Sequence, residues 1–199
     1  VIAAVDLGDG LAEIATALGV PVMIAAIVAL LLCALELGRF GAEYWRRRVQ
    51  ARDLDLRELT QRAIAEPQRA STLAYGAPSA LAAEAMVQIA TSTELDRGRA
   101  CEHTLARYEL NVQRRLDRTR LLVRAGPAIG LMGTLIPLAP GLAALGNGDV
   151  SALAESLRDA FGATVVGLLV GTVAFALTLA RTRMYTEDLA ALEQGSEAP

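Results

Sequence analysis

Apolar residues along this chain gather into three long blocks, and the polar stretches between them carry helical rather than strand periodicity. The first block, Leu18 to Leu35, reads LGVPVMIAAIVALLLCAL and is near the shortest run that can cross a bilayer. The second, Ala125 to Leu145, reads AGPAIGLMGTLIPLAPGLAAL, and the third, Ala160 to Ala180, reads AFGATVVGLLVGTVAFALTLA. Both have full spanning length and are joined by a short polar loop. The pattern predicts an all-α integral membrane protein with three transmembrane helices. Glycine, alanine and threonine crowd the last two blocks, a composition suited to close helix-on-helix packing.

Between the first and second blocks lies a predicted cytoplasmic helical hairpin. Phe40 to about Ala65 is helix-compatible, with Glu43/Arg47, Asp53/Arg57 and Glu58/Arg62 at the i,i+4 spacing that brings acid and base together. Pro67, Gly76 and Pro78 mark a turn over Glu66 to Ser79. A second helix is expected to begin near Ala80; Arg99 to Ala125 holds no Gly or Pro, so this helix continues into the second span, projecting about 40 Å at the helical rise. Leu105, Tyr108, Val112, Leu116, Thr119 and Val123 recur every three or four residues, while Arg107, Arg114, Arg115 and Arg118 lie off that stripe. The stripe is expected to pack within the hairpin, with subunit contacts as a further use.

Charge orients these elements. The chain is 53% hydrophobic but only 4% aromatic, so its apolar content sits in the spans rather than in a large soluble core. It contains no lysine, and of its 19 basic residues only Arg158 lies outside the stretches 39–124 and 181–183. The positive-inside rule then gives an outside N-terminal segment 1–17, a first transmembrane helix 18–38, the cytoplasmic hairpin 39–124, a second transmembrane helix 125–145, an outside loop 146–159, a third transmembrane helix 160–180 and a cytoplasmic tail 181–199. The expected location is the cell (inner) membrane, N-terminus outside. Asp6, Asp9 and Glu13 precede the first block and the arginines follow it, the reverse of a signal peptide, so that block reads as a retained helix. The arginines need no acidic partner beyond lipid headgroups, and no nucleic acid is implied.

Few residues point to chemistry of other kinds. Cys33 and Cys101 fall on different sides of the predicted topology, and His103 has no companion at metal-ligand spacing. A chain without lysine cannot hold the GxxxxGK[ST] phosphate loop, and no paired nucleophile and base stands out, so neither an enzyme nor a cofactor is expected. Hydroxyls in membrane helices usually bond back one turn, the reading taken for Thr172 and Thr178. Thr134 and Thr164 differ because small residues surround them: Gly130 and Gly133 in one case, Gly162, Ala163 and Gly167 in the other. Gly126 and Gly171 extend the two small-residue faces. Glu36, beside Gly38 and Arg39, is expected at the membrane interface.

With these residues placed, a resemblance emerges. GPAIGLMGTL, Gly126 to Leu135, resembles the glycine-rich opening of the penultimate membrane helix in the MotA/TolQ/ExbB proton-channel family. Asp159, Ala160, Ala163, Thr164, Gly167, Leu168 and Val170 fall where that family's last membrane helix has an acid, Ala-Leu, Ala/Thr-Thr, Gly-Leu and Val. The chain departs from the pattern with Val173 where the family often has a proline, and with Pro137 and Pro140 in the preceding helix.

The resemblance implies the pore-forming subunit of an ion-driven motor. It would be a homo-oligomer of five copies, their last two helices surrounding two copies of a single-span ExbD/TolR/MotB-like partner with a membrane Asp. Thr134 and Thr164 would be pore-lining hydroxyls in the ion pathway, and Asp159 the acid near the outer mouth. For Asp159, a simple acid in the first turn of a helix is the competing expectation. Ala163 in place of a second hydroxyl favours H+ as the translocated ion, with Na+ left open. Counted from the predicted outer boundaries, Thr134 lies about 16 Å deep and Thr164 about 6 Å, an unequal pair for one carboxylate. The other functional class is a non-conducting oligomeric scaffold that uses Gly167 and Gly171 as a GxxxG interface between copies.

Overall fold

Helices form at all three apolar blocks, and each is longer than the block that predicts it. The computed structural model describes residues 10, 13–14, 17–50, 55–93 and 96–197, so Asp6, Asp9 and the Asp53 half of the Asp53/Arg57 pair lie outside the described residues. Helix α1 runs Gly19–Gln50, α2 Leu56–Ala65, α3 a single turn Ala70–Leu73, α4 Ala80–Ala90, α5 Arg97–Gly146 and α6 Val150–Ser196. Two 3-10 turns, Pro67–Arg69 and Ala74–Gly76, flank α3. Among the described residues all regular structure is helical, and α1, α5 and α6 are long and apolar enough to cross a membrane.

The chain divides into two compact units, the first made of Val1–Glu36 and Thr119–Ala176. In its described part, Ala29 and Cys33 of α1 pack with Leu122 of α5 and with Val170 and Ala174 of α6. The Cys33 thiol points at the Val170 carbonyl, 3.9 Å away. Outside this narrow core, Met23, Ile27 and Leu31 of α1, Leu131 and Leu135 of α5, and Phe161 and Val165 of α6 remain exposed. An apolar surface of that extent suits lipid or other membrane helices as its surroundings. Glu36, near the end of the first apolar block, is buried within the chain, with 7% of its surface accessible.

The second unit comprises Leu37–Arg118 and Leu177–Pro199. Its core joins Leu56, Leu59 and Ala63 of α2, Ala82, Ala85 and Met86 of α4, Tyr108 of α5 and Leu192 of α6. Leu105 and Val112 pack against it, so these members of the predicted stripe face α2 and α4. Helix α4 starts where expected: the Ser79 hydroxyl caps it by accepting the Ala82 amide at 3.1 Å. It does not continue into α5. Thr91 and Ser92 turn their hydroxyls onto the Val87 and Ile89 carbonyls, and the helix ends there. The residues expected as a C-terminal tail are helical to Ser196, because Leu192 is fully buried and Gly195 lets α6 meet α2. A methyl on Gly195 would lie 2.7 Å from Thr60 Cβ.

Arginine here does more than face headgroups. Arg47 of α1 donates from both Nη atoms to the two carboxylate oxygens of Asp188 on α6, at 2.8 and 2.7 Å. Asp188 is only 5% exposed and also accepts from the Tyr108 hydroxyl at 3.2 Å and, at 3.5 Å, from Ser79. Glu43 lies 3.6 Å from Arg47 and accepts from the Tyr185 hydroxyl at 3.2 Å. Burial works to lower the Arg47 pKa, but the hydrogen bonds and charge of Asp188, with Glu43, outweigh it and hold the guanidinium above its usual range. Burial, then the Asp188 charge, raises the Tyr108 pKa. Burial and Glu43 raise that of Tyr185, against the opposing pull of Arg115 and Arg181.

Removing one member of a buried ion pair strands the other, so Asp188→Ala is expected to destabilise the protein by roughly 3–5 kcal/mol. Thermal unfolding in detergent checks this, with the double variant Arg47→Met/Asp188→Leu expected to recover much of the loss. A pH effect follows from Tyr108. Its raised pKa favours the protonated native form, so its contribution is fully present below the unfolded value of about 10 and is lost as pH rises beyond it. Melting between pH 8 and pH 11 should therefore fall more steeply for the parent than for Tyr108→Phe.

Candidate functional site

Residues without side chains decide how α5 and α6 meet in the first unit. A methyl on Gly126 would lie 2.8 Å from the Gly167 carbonyl oxygen and 2.9 Å from the Gly171 nitrogen. One on Gly167 would lie 2.6 Å from the Gly126 carbonyl oxygen and 2.7 Å from the Gly130 Cα. Real Cβ atoms do not approach backbone so closely, so the crossing requires glycine at these positions. Gly171 receives the ring of Pro127 in the same way, with 2.9 Å to Cγ and Cδ from a methyl placed there.

The contacts advance in antiparallel register. Gly126 faces Gly171, Gly130 faces Gly167, Gly133 faces Ala163 and Gly141 faces Ser156, so each step along α5 is matched by a step back along α6. From 126 to 141 the seam extends about 22 Å. This register places Thr134 and Thr164, the immediate neighbours of Gly133 and Ala163, at a common level. The unequal depths expected from the sequence arose from starting the last helix at Ala160. Helix α6 begins at Val150, and most of the expected loop 146–159 is helical.

The actual connection is short. Gly148 has φ +81°, a left-handed conformation suited to glycine, and the Asp149 carboxylate accepts the Ala152 amide at 3.0 Å. Asp149 therefore caps the helix, and Asp159 lies well beyond the first turn where the simple reading put it. Asp159 is exposed, and its carboxylate is 3.9 Å from Arg158 Nε.

Both threonines are half-buried and bonded to their own helices. Thr134 donates to the Leu131 carbonyl at 2.7 Å, and Thr164 donates to the Ala160 carbonyl at 3.2 Å. One further acceptor belongs to this level. Pro137 has no N–H to offer the Gly133 carbonyl, so the usual helical partner of that oxygen is missing.

Among the glycines singled out from the sequence, Gly126, Gly130, Gly133, Gly167 and Gly171 line the seam, whereas a methyl on Gly162 would meet nothing within 4 Å. Gly167 and Gly171 are thus occupied within one chain, which removes them as a GxxxG face toward another copy. Sequence reading missed Gly141 and Ser156. Their signal is periodic: small residues recur at 156, 160, 163, 167 and 171 on α6, matching 126, 130, 133 and 141 on α5.

A family model described as the MotA/TolQ/ExbB proton channel family matches residues 69–194, which include all of α5 and nearly all of α6. No curated protein and no solved structure matches the chain. The seam makes a prediction independent of any activity. Gly167→Ala must push backbone from backbone and is expected to destabilise the protein by about 1–3 kcal/mol, while Gly162→Ala, which meets open space, should leave stability unchanged or slightly raised. Unfolding of the two variants side by side in one detergent distinguishes them.

Proposed function

The chain belongs to the MotA/TolQ/ExbB proton channel family, whose members are proton-channel-type subunits of membrane motors, and from this premise we propose that it is the pore-forming subunit of an ion-driven motor. Five copies surround two copies of a single-span partner of the ExbD/TolR/MotB kind, and the partner's membrane carboxylate carries the ion. The N-terminus lies outside the cell membrane, and the second unit, with the C-terminus, lies in the cytoplasm. The arginine distribution supports that orientation.

One observation carries the reading: the glycine seam brings Thr134 and Thr164 to one level of two antiparallel helices. A carboxylate within the bilayer is stable only when neutral, paired or hydrated. Two hydroxyls and the Gly133 carbonyl, deprived by Pro137 of its helical donor, form a band of acceptors and donors without fixed charge. Such a band can bind a protonated or ionised carboxyl group and release it. Asp159, exposed and five residues nearer the start of α6 than Thr164, serves as the acid toward the outer mouth. With few oxygens beyond these, the band suits protons better than sodium ions.

A second reading, a non-conducting oligomeric scaffold, draws on the hydrogen bonds of Thr134 and Thr164 to Leu131 and Ala160, which satisfy both hydroxyls without any ion. Vesicle flux separates the two. The protein is co-expressed with a single-span partner carrying a membrane Asp, and proton uptake is measured beside Thr134→Val and Thr164→Val. Loss of one hydrogen bond at the path predicts about a tenfold drop in flux for each variant. Parental flux in both variants would remove the hydroxyls from the path, and absence of flux in every form would favour the scaffold.

A further inference from the structure

We infer that the second unit holds a binding site for the headgroup of an aminophospholipid. A cleft of about 500 Å³ opens between the cytoplasmic end of α1 and α6, with Tyr44 and Arg48 on one wall, Met184 and Glu187 on the other, and Asp55 and Pro78 among its remaining lining residues. Its size is within the range of small-ligand pockets. The charges on it are mixed. Arg47 and Asp188, also in its lining, satisfy each other through two hydrogen bonds, which leaves Arg48, Asp55 and Glu187 as the charges among the described lining residues that a ligand would meet. Among the described residues, none of these three makes a salt bridge. Arg48 donates from Nε to the Tyr44 hydroxyl at 3.0 Å and lies over that ring, 5.2 Å from its centroid.

A ligand that suits this lining carries both signs and an apolar part. A phosphate would take the Arg48 fork, for which a guanidinium is well shaped. A primary ammonium would donate to Asp55 and Glu187, and Leu56, Pro78 and Met184 would meet hydrocarbon. A headgroup with phosphate alone would set its negative charge against two carboxylates with nothing to answer them. A quaternary ammonium has no N–H to give.

The position favours a lipid over a free metabolite. This step rests on the membrane boundaries of the proposed function. Tyr44 follows position 38 by six residues and Met184 follows position 180 by four, about 9 and 6 Å along their respective helices. The headgroup layer is about 5–8 Å deep, so Met184 falls within it and Tyr44 just past it.

The test is retention of lipid by the purified full-length protein, incorporated in nanodiscs of equal phosphatidylethanolamine, phosphatidylcholine and phosphatidylglycerol, then released into detergent and examined by native mass spectrometry. The parent is expected to retain phosphatidylethanolamine over the other two by about threefold or more, the effect of one or two hydrogen bonds. Arg48→Gln should abolish that preference, and Asp55→Asn/Glu187→Gln should shift retention toward phosphatidylglycerol. All three substituted residues are exposed, so the variants should melt like the parent. No preference in the parent, or one unchanged in both variants, overturns the site. Soluble phosphoethanolamine that competes as tightly as the lipid overturns the lipid assignment. Retention is read without ion flux, so a protein that fails to conduct yet keeps the preference refutes the channel reading and leaves this one standing.

Discussion

The architecture of the first unit depends on backbone meeting backbone. Where α5 and α6 cross, Gly126 and Gly130 occupy the space that a side chain on Gly167 would need, and Pro127 the space that one on Gly171 would need. Lipid tails are as apolar as leucine, so burial alone gives membrane helices little reason to associate; close van der Waals contact does. Small residues every three or four positions make that contact continuous over many turns and leave a single register in which it is possible. The level of every side chain beside the seam follows from that register, including the two hydroxyls.

The second unit is organised by a different constraint. Asp188 is buried, and an ionised carboxylate without partners could not stay there. It accepts from Arg47, Tyr108 and Ser79, so α1, α5, α6 and the cap of α4 all converge on one side chain. Such a centre is no stronger than an apolar one of equal volume, since desolvation offsets the attraction. What it imposes is specificity: a helix rotated away from Asp188 would leave a donor or a charge unsatisfied. Apolar contacts among Leu56, Met86 and Leu192 provide cohesion without that selectivity.

Legibility from the sequence followed the range of the interactions. Three apolar blocks announced α1, α5 and α6 because a bilayer-length run is a local property. The start of α4 at Ala80 was readable from the turn residues before it, whereas its end was not, since Thr91 and Ser92 stop the helix by bonds that compete with its continuation. Helix α6 begins ten residues before the apolar block at Ala160, since Val150 to Asp159 is helical yet too polar to read as part of a span, and a helix boundary and an apolar boundary are different things. Arg47 was readable as a partner of Glu43, four residues away; its stronger bond to Asp188 joins residues 141 apart in the chain. Likewise the family pattern singled out Thr134 and Thr164, but only the three-dimensional register relates their depths.

That register bears on how a proposed path made of hydroxyls could work. Thr134 and Thr164 donate to carbonyls of their own helices, and their oxygens keep lone pairs for another donor. A protonated carboxylic acid arriving from a partner helix could give its proton's hydrogen bond to either oxygen without breaking the existing bond. An ionised carboxylate, by contrast, needs donors, and each hydroxyl would have to turn from its carbonyl to supply one. The neutral acid is thus held at little expense and the charged one only by rearrangement. A site of that kind discriminates between the two protonation states of its partner, which is the property required if protons are to load on one side, cross with the neutral acid and leave where water can hydrate the carboxylate.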